Sequence, residues 1–386
     1  MKYFVLVGEA SGDLHASQLL KQIRKGDPTA SFSGFGGDKM AAEGCRLYRH
    51  INDLAYMGVV AVMKNMDKIR ANFAEAKQQL LREQPDVLIL VDYPSFNLKM
   101  AEFARQNIPN IKIVYYIPPK IWAWKKWRRK KILEVCDAVL CIFPFEPAFY
   151  GQQTTGDRRQ AEVVFVGNPS AEECLSARSA VAAQRSKIIA ILPGSRRSEI
   201  EHCLPKMLEA ARRFPDYETA ISQAPSIPAD FYEKVAGEPV ASRLSPMASD
   251  LLGKSSVAIV NSGTATLEAA LTGCPEVAVY HVACPHLLRL VWKGLFTIRH
   301  FTLPNIILDK RDAEGKPVEV IRELIADLFT VDEIEKEVKK ILNDECYRQT
   351  MLNDFEAIRC ILGNQKASEE AARLITKSNL TTVNKQ

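Results

Sequence analysis

Short uninterrupted apolar runs alternate along the chain with stretches in which apolar residues recur every three or four positions. The first set of runs covers residues 3–7, 30–35, 87–91, 111–117, 138–142 and 163–166. A strand that is apolar on both faces must be covered on both faces, so these runs predict a parallel sheet between layers of helix. The stretches between them, such as 14–24, carry the period of amphipathic helices. After Gly167-Asn168-Pro169 the pattern restarts, with runs at 188–192, 218–222, 257–260 and 277–280. Residues 331–374 are charged and helical in period, and the last dozen residues are polar.

The restart divides the chain. The expected organisation is a first Rossmann-like domain over 1–170 and a second over 171–345. A helical C-terminal segment over 346–386 then packs back on the first domain or on a partner chain. The fold class is α/β, with two doubly wound parallel-sheet domains facing a cleft. Ligands of such sheets sit beyond the carboxyl ends of the strands.

With 386 residues, 47% of them hydrophobic and 25% charged, the chain can bury two ordinary cores without staples. Its nine cysteines form no Cys-x-x-Cys pair and fit no zinc spacing, so they read as buried thiols of a reducing compartment. No apolar run approaches the ~20 residues of a membrane span, and the N-terminal run is too short for a signal peptide, which predicts a cytoplasmic protein. A net charge of +5 is too mild to indicate a nucleic-acid protein.

Candidate chemistry lies in the loops. Gly8-Glu9-Ala10-Ser11-Gly12-Asp13 joins a strand to a helix but lacks the Gly-Lys-Ser/Thr ending of a P-loop. It reads as a turn with a helix cap or as a functional loop, and two acids, Glu9 and Asp13, exceed what a cap requires. Ser33-Gly34-Phe35-Gly36-Gly37 lacks the third glycine of a dinucleotide fingerprint, where Lys39 stands, which argues against NAD. In the second domain, Pro193-Gly194-Ser195-Arg196 and Asn261-Ser262-Gly263-Thr264 each follow a strand and open a helix. Backbone N–H groups there, with Ser195, Arg196 and Thr264, suit a diphosphate, and the carboxylate of Glu268 suits a ribose diol. Two ordinary capped helices are the plain alternative.

Taken in order, these segments resemble the lipid-A-disaccharide synthase family. Gly8–Asp13 is similar to its opening motif. Asp92-Tyr93-Pro94-Ser95-Phe96-Asn97, Tyr115-Tyr116 with Ile121-Trp122-Ala123-Trp124, Phe143-Pro144-Phe145-Glu146, Leu192-Pro193-Gly194-Ser195-Arg196, Ser262–Glu268 and Leu303-Pro304-Asn305 continue the resemblance. It implies a GT-B-type fold. It also implies transfer of a diacylated glucosamine from UDP to the 6-hydroxyl of diacylglucosamine 1-phosphate, with inversion, at the inner face of the inner membrane. The chain departs from the family at Ser95, where a second Asp is usual, at Asn168, where His is common, and at Pro118, where Ser is usual.

Inversion requires a base for the acceptor hydroxyl and a stabilised leaving group. Asp92, just past a buried strand, is the expected base, as the resemblance also implies, and Glu9 is its competitor or partner. Gly12, Asp13, Asn97 and Met57 are assigned to the acceptor side. Met57 begins a Met-rich stretch over 57–66 that reads as a core-facing helix or as an acyl groove. The donor site is assigned to Ser195, Arg196, Ser262, Gly263, Thr264, Glu268 and Asn305. No cofactor or metal is expected, since no Asp-x-Asp motif or histidine cluster is present. Residues 120–131 hold seven Lys or Arg and three Trp without an acid. Trp122, Trp124, Lys125, Lys126, Trp127, Arg128 and Arg129 are therefore assigned to an anionic membrane surface, with a solvated helix face and core tryptophans as the alternative. The expected partners are acylated sugars and that surface, without nucleic acid, and a homodimer is open. The rival functions are a UDP-sugar epimerase or hydrolase on the same fold and a basic binding protein without catalysis.

Overall fold

A computed structural model describes residues 1–54, 66–122, 126–151, 161–178, 185–282, 300–363 and 365–377. Met57 with its Met-rich stretch, Trp124 and Lys125 lie outside the described residues. The chain divides into two compact units, Met1–Pro169 with Gln365–Gln386, and Ser170–Asn364.

The first unit is built on β1 (Lys2–Val7), β2 (Ser31–Gly36), β3 (Arg46–His50), β4 (Val87–Val91), β5 (Lys112–Tyr116), β6 (Ala138–Cys141) and β7 (Glu162–Phe165). They form one sheet in the order β3-β2-β1-β4-β5-β6-β7, every pair parallel. All five residues of β4 are buried, as its unbroken Val-Leu-Ile-Leu-Val predicts. One set of core residues lies on each face of the sheet. Phe4, Leu6, Leu88 and Leu90 join one cluster, and Tyr3, Val5, Val7, Ile89 and Val91 join the other. The chain winds outward from β1 to β3, returns to β4 and winds the other way, so the strand order reverses between β1 and β4, where Val7 pairs with Val91.

The second unit repeats the plan with β8 (Ser186–Leu192), β9 (Glu218–Ser222), β10 (Leu244–Ser245), β11 (Ser255–Asn261), β12 (Glu276–Tyr280) and β13 (Glu323–Ile325). Its order is β10-β9-β8-β11-β12-β13, again parallel, and it reverses between β8 and β11, where Leu192 pairs with Val260. Strands β3, β10 and β13 are absent from the sequence pattern. Each is a sheet edge with one neighbour, so it needs no continuous apolar run.

The C-terminal segment is not one piece, as the 346–386 assignment had it. The helix Glu345–Leu362 belongs to the second unit, where Arg359 donates to the carbonyls of Ala270 and Leu271 at 3.0 and 2.8 Å. The helix Ala367–Thr376 belongs to the first unit. Its Ala371, Ala372 and Ile375 pack with Leu19, Leu20 and Ile23 of the helix Ala10–Gly26. Among the described residues no helix is long and apolar enough to cross a membrane, and no group of His, Cys, Asp or Glu could hold a metal ion.

Candidate active site

The strand-order reversal of the first sheet brings the two candidate carboxylates to neighbouring positions. Glu9 stands at the N-cap of the helix following β1, and Asp92 follows β4. The two loops pack on each other, because the Tyr93 ring covers Gly8 so closely that any Cβ there would overlap it. Asp92 and Tyr93 both adopt left-handed backbone conformations, with φ of 46° and 47°, and so does Ile117 at 57°. Each such residue costs of order 1–3 kcal/mol and persists only where its surroundings hold it. Here the Asp92 N–H donates to the Ile117 carbonyl at 3.2 Å. Its carbonyl accepts from Asn97 Nδ2 at 2.7 Å and from the Tyr115 hydroxyl at 2.8 Å. The half-buried Asp92 side chain is thus presented from a pinned peptide.

Three residues assigned to the acceptor have structural duties instead. Asn97 is fully buried, and its amide also reaches the Val91 carbonyl at 3.2 Å, so it positions Asp92 without access to a ligand. Asp13 is buried, and its carboxylate accepts the N–H groups of Gly37, Lys39 and Met40 at 2.8, 3.1 and 3.2 Å, fixing the turn after β2. Gly12 is buried against the sheet, where a Cβ would stand 2.8 Å from Val7 Cγ1. It lets the helix approach β1.

The membrane assignment also divides. Trp122 is buried, donates Nε1–H to Glu146 at 3.0 Å and meets Phe143 and Phe145 edge-on. Burial and this hydrogen bond remove it from any lipid surface. Arg129 donates to the Phe149 carbonyl at 3.0 Å and lies over the Phe149 ring, and Arg128 donates to Ser95 Oγ at 3.1 Å. Both guanidiniums are turned toward the protein. Lys126 is exposed, and Trp127 is 70% exposed.

Sequence reasoning missed two groups at this edge. Lys120 touches solvent yet is surrounded by protein; desolvation pushes its ammonium down, against the opposing charges of Asp92, Glu146 and Glu9. Glu146 is fully buried, and desolvation pushes its carboxyl up to about 7, although the N–H groups of Phe143, Trp122 and Ile142 hold the charged form. The signal was available in Pro118-Pro119-Lys120 and in Phe143-Pro144-Phe145-Glu146, each just past a buried strand.

In the second unit the loops assigned to the donor follow β8 and β11, again at the reversal. Helix Thr264–Thr272 begins at exposed Gly263 with no side-chain cap, and Glu268 lies one turn further in. Ser262 donates its N–H to the Val279 carbonyl at 2.9 Å, which fixes the loop to β12. At the other loop, Glu199 accepts the N–H groups of Ser195 and Arg196 at 3.0 and 3.3 Å and an Arg196 guanidinium N–H at 3.0 Å. The Ser195 hydroxyl and the outer face of Arg196 remain exposed. Next to these loops, a pair not foreseen, His202 and His281, stacks with ring centroids 4.3 Å apart. Burial lowers the His281 pKa, with His202 and Lys206 adding to it.

Asn305 does not belong with them. It is buried, its Nδ2 donates to the Ile321 carbonyl and to Glu323 at 3.0 and 2.8 Å, and its Oδ1 accepts the N–H groups of Val320 and Ile321 at 2.7 and 3.0 Å. Its carboxamide is used up in bracing the approach to β13, so the donor assignment is corrected to a structural one.

Comparison with known proteins decides the family. The sequence model described as lipid-A-disaccharide synthetase matches residues 3–375. The chain belongs to the lipid-A-disaccharide synthase family. The lipid-A-disaccharide synthase of Koribacter versatilis is 31% identical over 100% of both chains. That of Nitrosococcus oceani is 35% identical over 93% of this chain and 92% of its own. Members are glycosyltransferases, and the whole length of this chain is accounted for by that relationship. Among solved structures, the UDP-GlcNAc 2-epimerase of Neisseria meningitidis bound to UDP-GlcNAc covers 98% of this chain and 100% of its own, with a TM-score of 0.64 at 12% identity. A sucrose-phosphate synthase of Thermosynechococcus elongatus covers 97% of this chain and 98% of its own, with a TM-score of 0.52 at 13% identity. These likenesses establish the fold, a GT-B-type pair of parallel-sheet units, which epimerases and lipid-A-disaccharide synthases share.

Proposed function

We propose that this chain forms the lipid A disaccharide with Asp92 as general base. The donor is UDP-diacylglucosamine, and the acceptor is diacylglucosamine 1-phosphate. Asp92 takes the proton of the acceptor 6-hydroxyl as its oxygen attacks the donor anomeric carbon. The bond from that carbon to the diphosphate breaks on the opposite face, which inverts the centre and releases UDP. The observation that carries this reading is the Asp92 peptide, strained and held at three points beside Glu9 where the strand order reverses. Glu9 and Lys120 act around it, Glu9 as a second acceptor for substrate hydroxyls and Lys120 as a cation facing both carboxylates.

The leaving diphosphate is met by the uncapped helix start at Gly263–Thr264 and by Ser195 and Arg196, with Glu268 on the ribose. This scheme calls on no metal. The acceptor and donor are membrane lipids, and exposed Trp127 with Lys126 and Lys130 suits the headgroup zone of an anionic bilayer.

The test is mass spectrometry of the products formed from UDP-diacylglucosamine with and without the monosaccharide acceptor. A β-linked disaccharide 1-phosphate, appearing only with acceptor and in step with UDP, is the expected result. Release of UDP at the same rate without acceptor would instead identify a hydrolase.

A further inference from the structure

The helix Arg128–Val135 opens with Arg128, Arg129, Lys130 and Lys131, and its first turn holds no acid. Cations at a helix N-terminus oppose the macrodipole. Four in succession are a local conflict of the kind that marks a functional site. Three of them have evident settings: Arg129 is bound to Phe149, Lys131 pairs with Glu102 at 3.3 Å, and Lys130 is exposed.

Arg128 is different. Its Nη2 donates to Ser95 Oγ at 3.1 Å, and its Cζ lies 5.4 Å from the Trp127 ring centroid. Its Nε–H is buried and has no hydrogen-bond partner. Among the described residues no carboxylate pairs with it. A half-buried guanidinium whose buried N–H finds no acceptor is an expensive arrangement unless an anion completes it. Ser95, also exposed, lies in the first turn of the helix Pro94–Asn107, three residues after Asp92. The planar fork of Arg suits phosphate oxygens, and the Ser95 hydroxyl adds a donor beside it.

We infer that Arg128 and Ser95 bind the phosphate monoester of the acceptor glycolipid. This rests on the acceptor assigned above. In that sugar the 1-phosphate and the 6-hydroxyl flank the same ring oxygen, so a phosphate site must neighbour the base. Arg128 meets this condition, because Ser95 and Asp92 share one short loop. The arrangement also gives a reason for an enzyme of two similar sugars to seat them differently: the acceptor ends in a monoester, whereas the donor carries a diphosphate bridged to a nucleoside.

Binding, rather than turnover, tests the inference. Diacylglucosamine 1-phosphate and its dephosphorylated form are titrated in uncharged detergent against wild type, Arg128→Gln and Arg128→Lys, each checked by circular dichroism for the native fold. Wild type should prefer the phosphorylated sugar, and Arg128→Gln should lose about ten-fold or more of that preference with unchanged affinity for the dephosphorylated sugar. Arg128→Lys, which keeps the charge without the fork, should fall between them and carries the test should the Gln variant not fold. An undiminished preference in the variants overturns the inference. So does a result in which the variants keep the preference but lose affinity for phosphatidylglycerol vesicles, since Arg128 would then serve lipid headgroups. Failure of the transfer reaction would show separately, as a wild type that discriminates the two sugars yet makes no disaccharide.

Discussion

The indole N–H of Trp122 is bonded to the carboxyl of Glu146 at 3.0 Å in the interior of the first unit, at the carboxyl edge of the sheet that carries Asp92. This contact turns an apparent membrane residue into a strut. It also locks the segment that runs from Ile117, whose carbonyl holds the Asp92 N–H.

Because burial pushes the Glu146 carboxyl from 4.5 up to about 7, the folded state holds its proton more tightly than the unfolded chain. Its contribution to stability is therefore fully present below about pH 4.5 and declines as pH rises toward about 7, by roughly 3 kcal/mol in all at 1.36 kcal/mol per pH unit. Glu146→Gln keeps an acceptor for Trp122 and should flatten this slope. Urea unfolding of wild type and variant at a series of pH values measures it; parallel curves would show that Glu146 is ordinary in the folded protein.

Asp92→Asn should retain fold and donor affinity while turnover falls about 10²–10⁴-fold, the usual share of a positioned base. Asn97→Ala should lower turnover through the loosened Asp92 peptide. It should also cost stability, roughly 1–3 kcal/mol for the backbone carbonyls it strands. Steady-state kinetics beside thermal melting separates the two cases. A fully active Asn97→Ala protein would deny the pinned peptide any part in catalysis.

At the donor loops, Arg196→Ala and Glu268→Ala should each weaken UDP binding by roughly 1.5–3 kcal/mol in calorimetry. Asn305→Ala should leave UDP affinity of the folded protein nearly unchanged but lower the melting temperature, because four hydrogen bonds around β13 depend on its carboxamide. Loss of UDP affinity in Asn305→Ala at full stability would restore it to the donor site.

For the membrane, Lys126→Ser with Trp127→Ser should lower sedimentation with anionic vesicles at low salt, with each lysine worth about 1 kcal/mol near such a surface. High salt should narrow the difference. Trp122→Phe should leave vesicle binding unchanged and lower stability. Vesicle binding that depends on Trp122 rather than Trp127 would reverse the division drawn here.

Continuous apolar runs were sufficient to reveal the central strands, such as β4, β8 and β11, because a strand covered on both faces has no freedom to be polar. The restart after Gly167 likewise announced a second sheet, and the ordered motifs identified the family. The positions of Asp92, Glu9, Ser195, Arg196 and Thr264 were legible for the same reason: each stands just past a buried strand, where a parallel sheet presents its loops. The edge strands β3, β10 and β13 left no such mark, since one open side relaxes the constraint, although the edge strand β7 kept its apolar run. The sequence also could not separate polar residues that face a ligand from those that hold the backbone. Asn97, Asp13 and Asn305 carry the same groups as ligand-binding side chains, and only the positions of distant carbonyls and N–H groups show that these groups are already engaged. In the basic, Trp-rich segment, composition is identical for a membrane patch and for a packed loop. The tertiary structure alone decides, by supplying Glu146 for Trp122 and Phe149 for Arg129 while leaving Trp127 in solvent and the Nε–H of Arg128 without a partner, because hydrogen bonding and burial depend on residues that are neighbours in space and not in sequence.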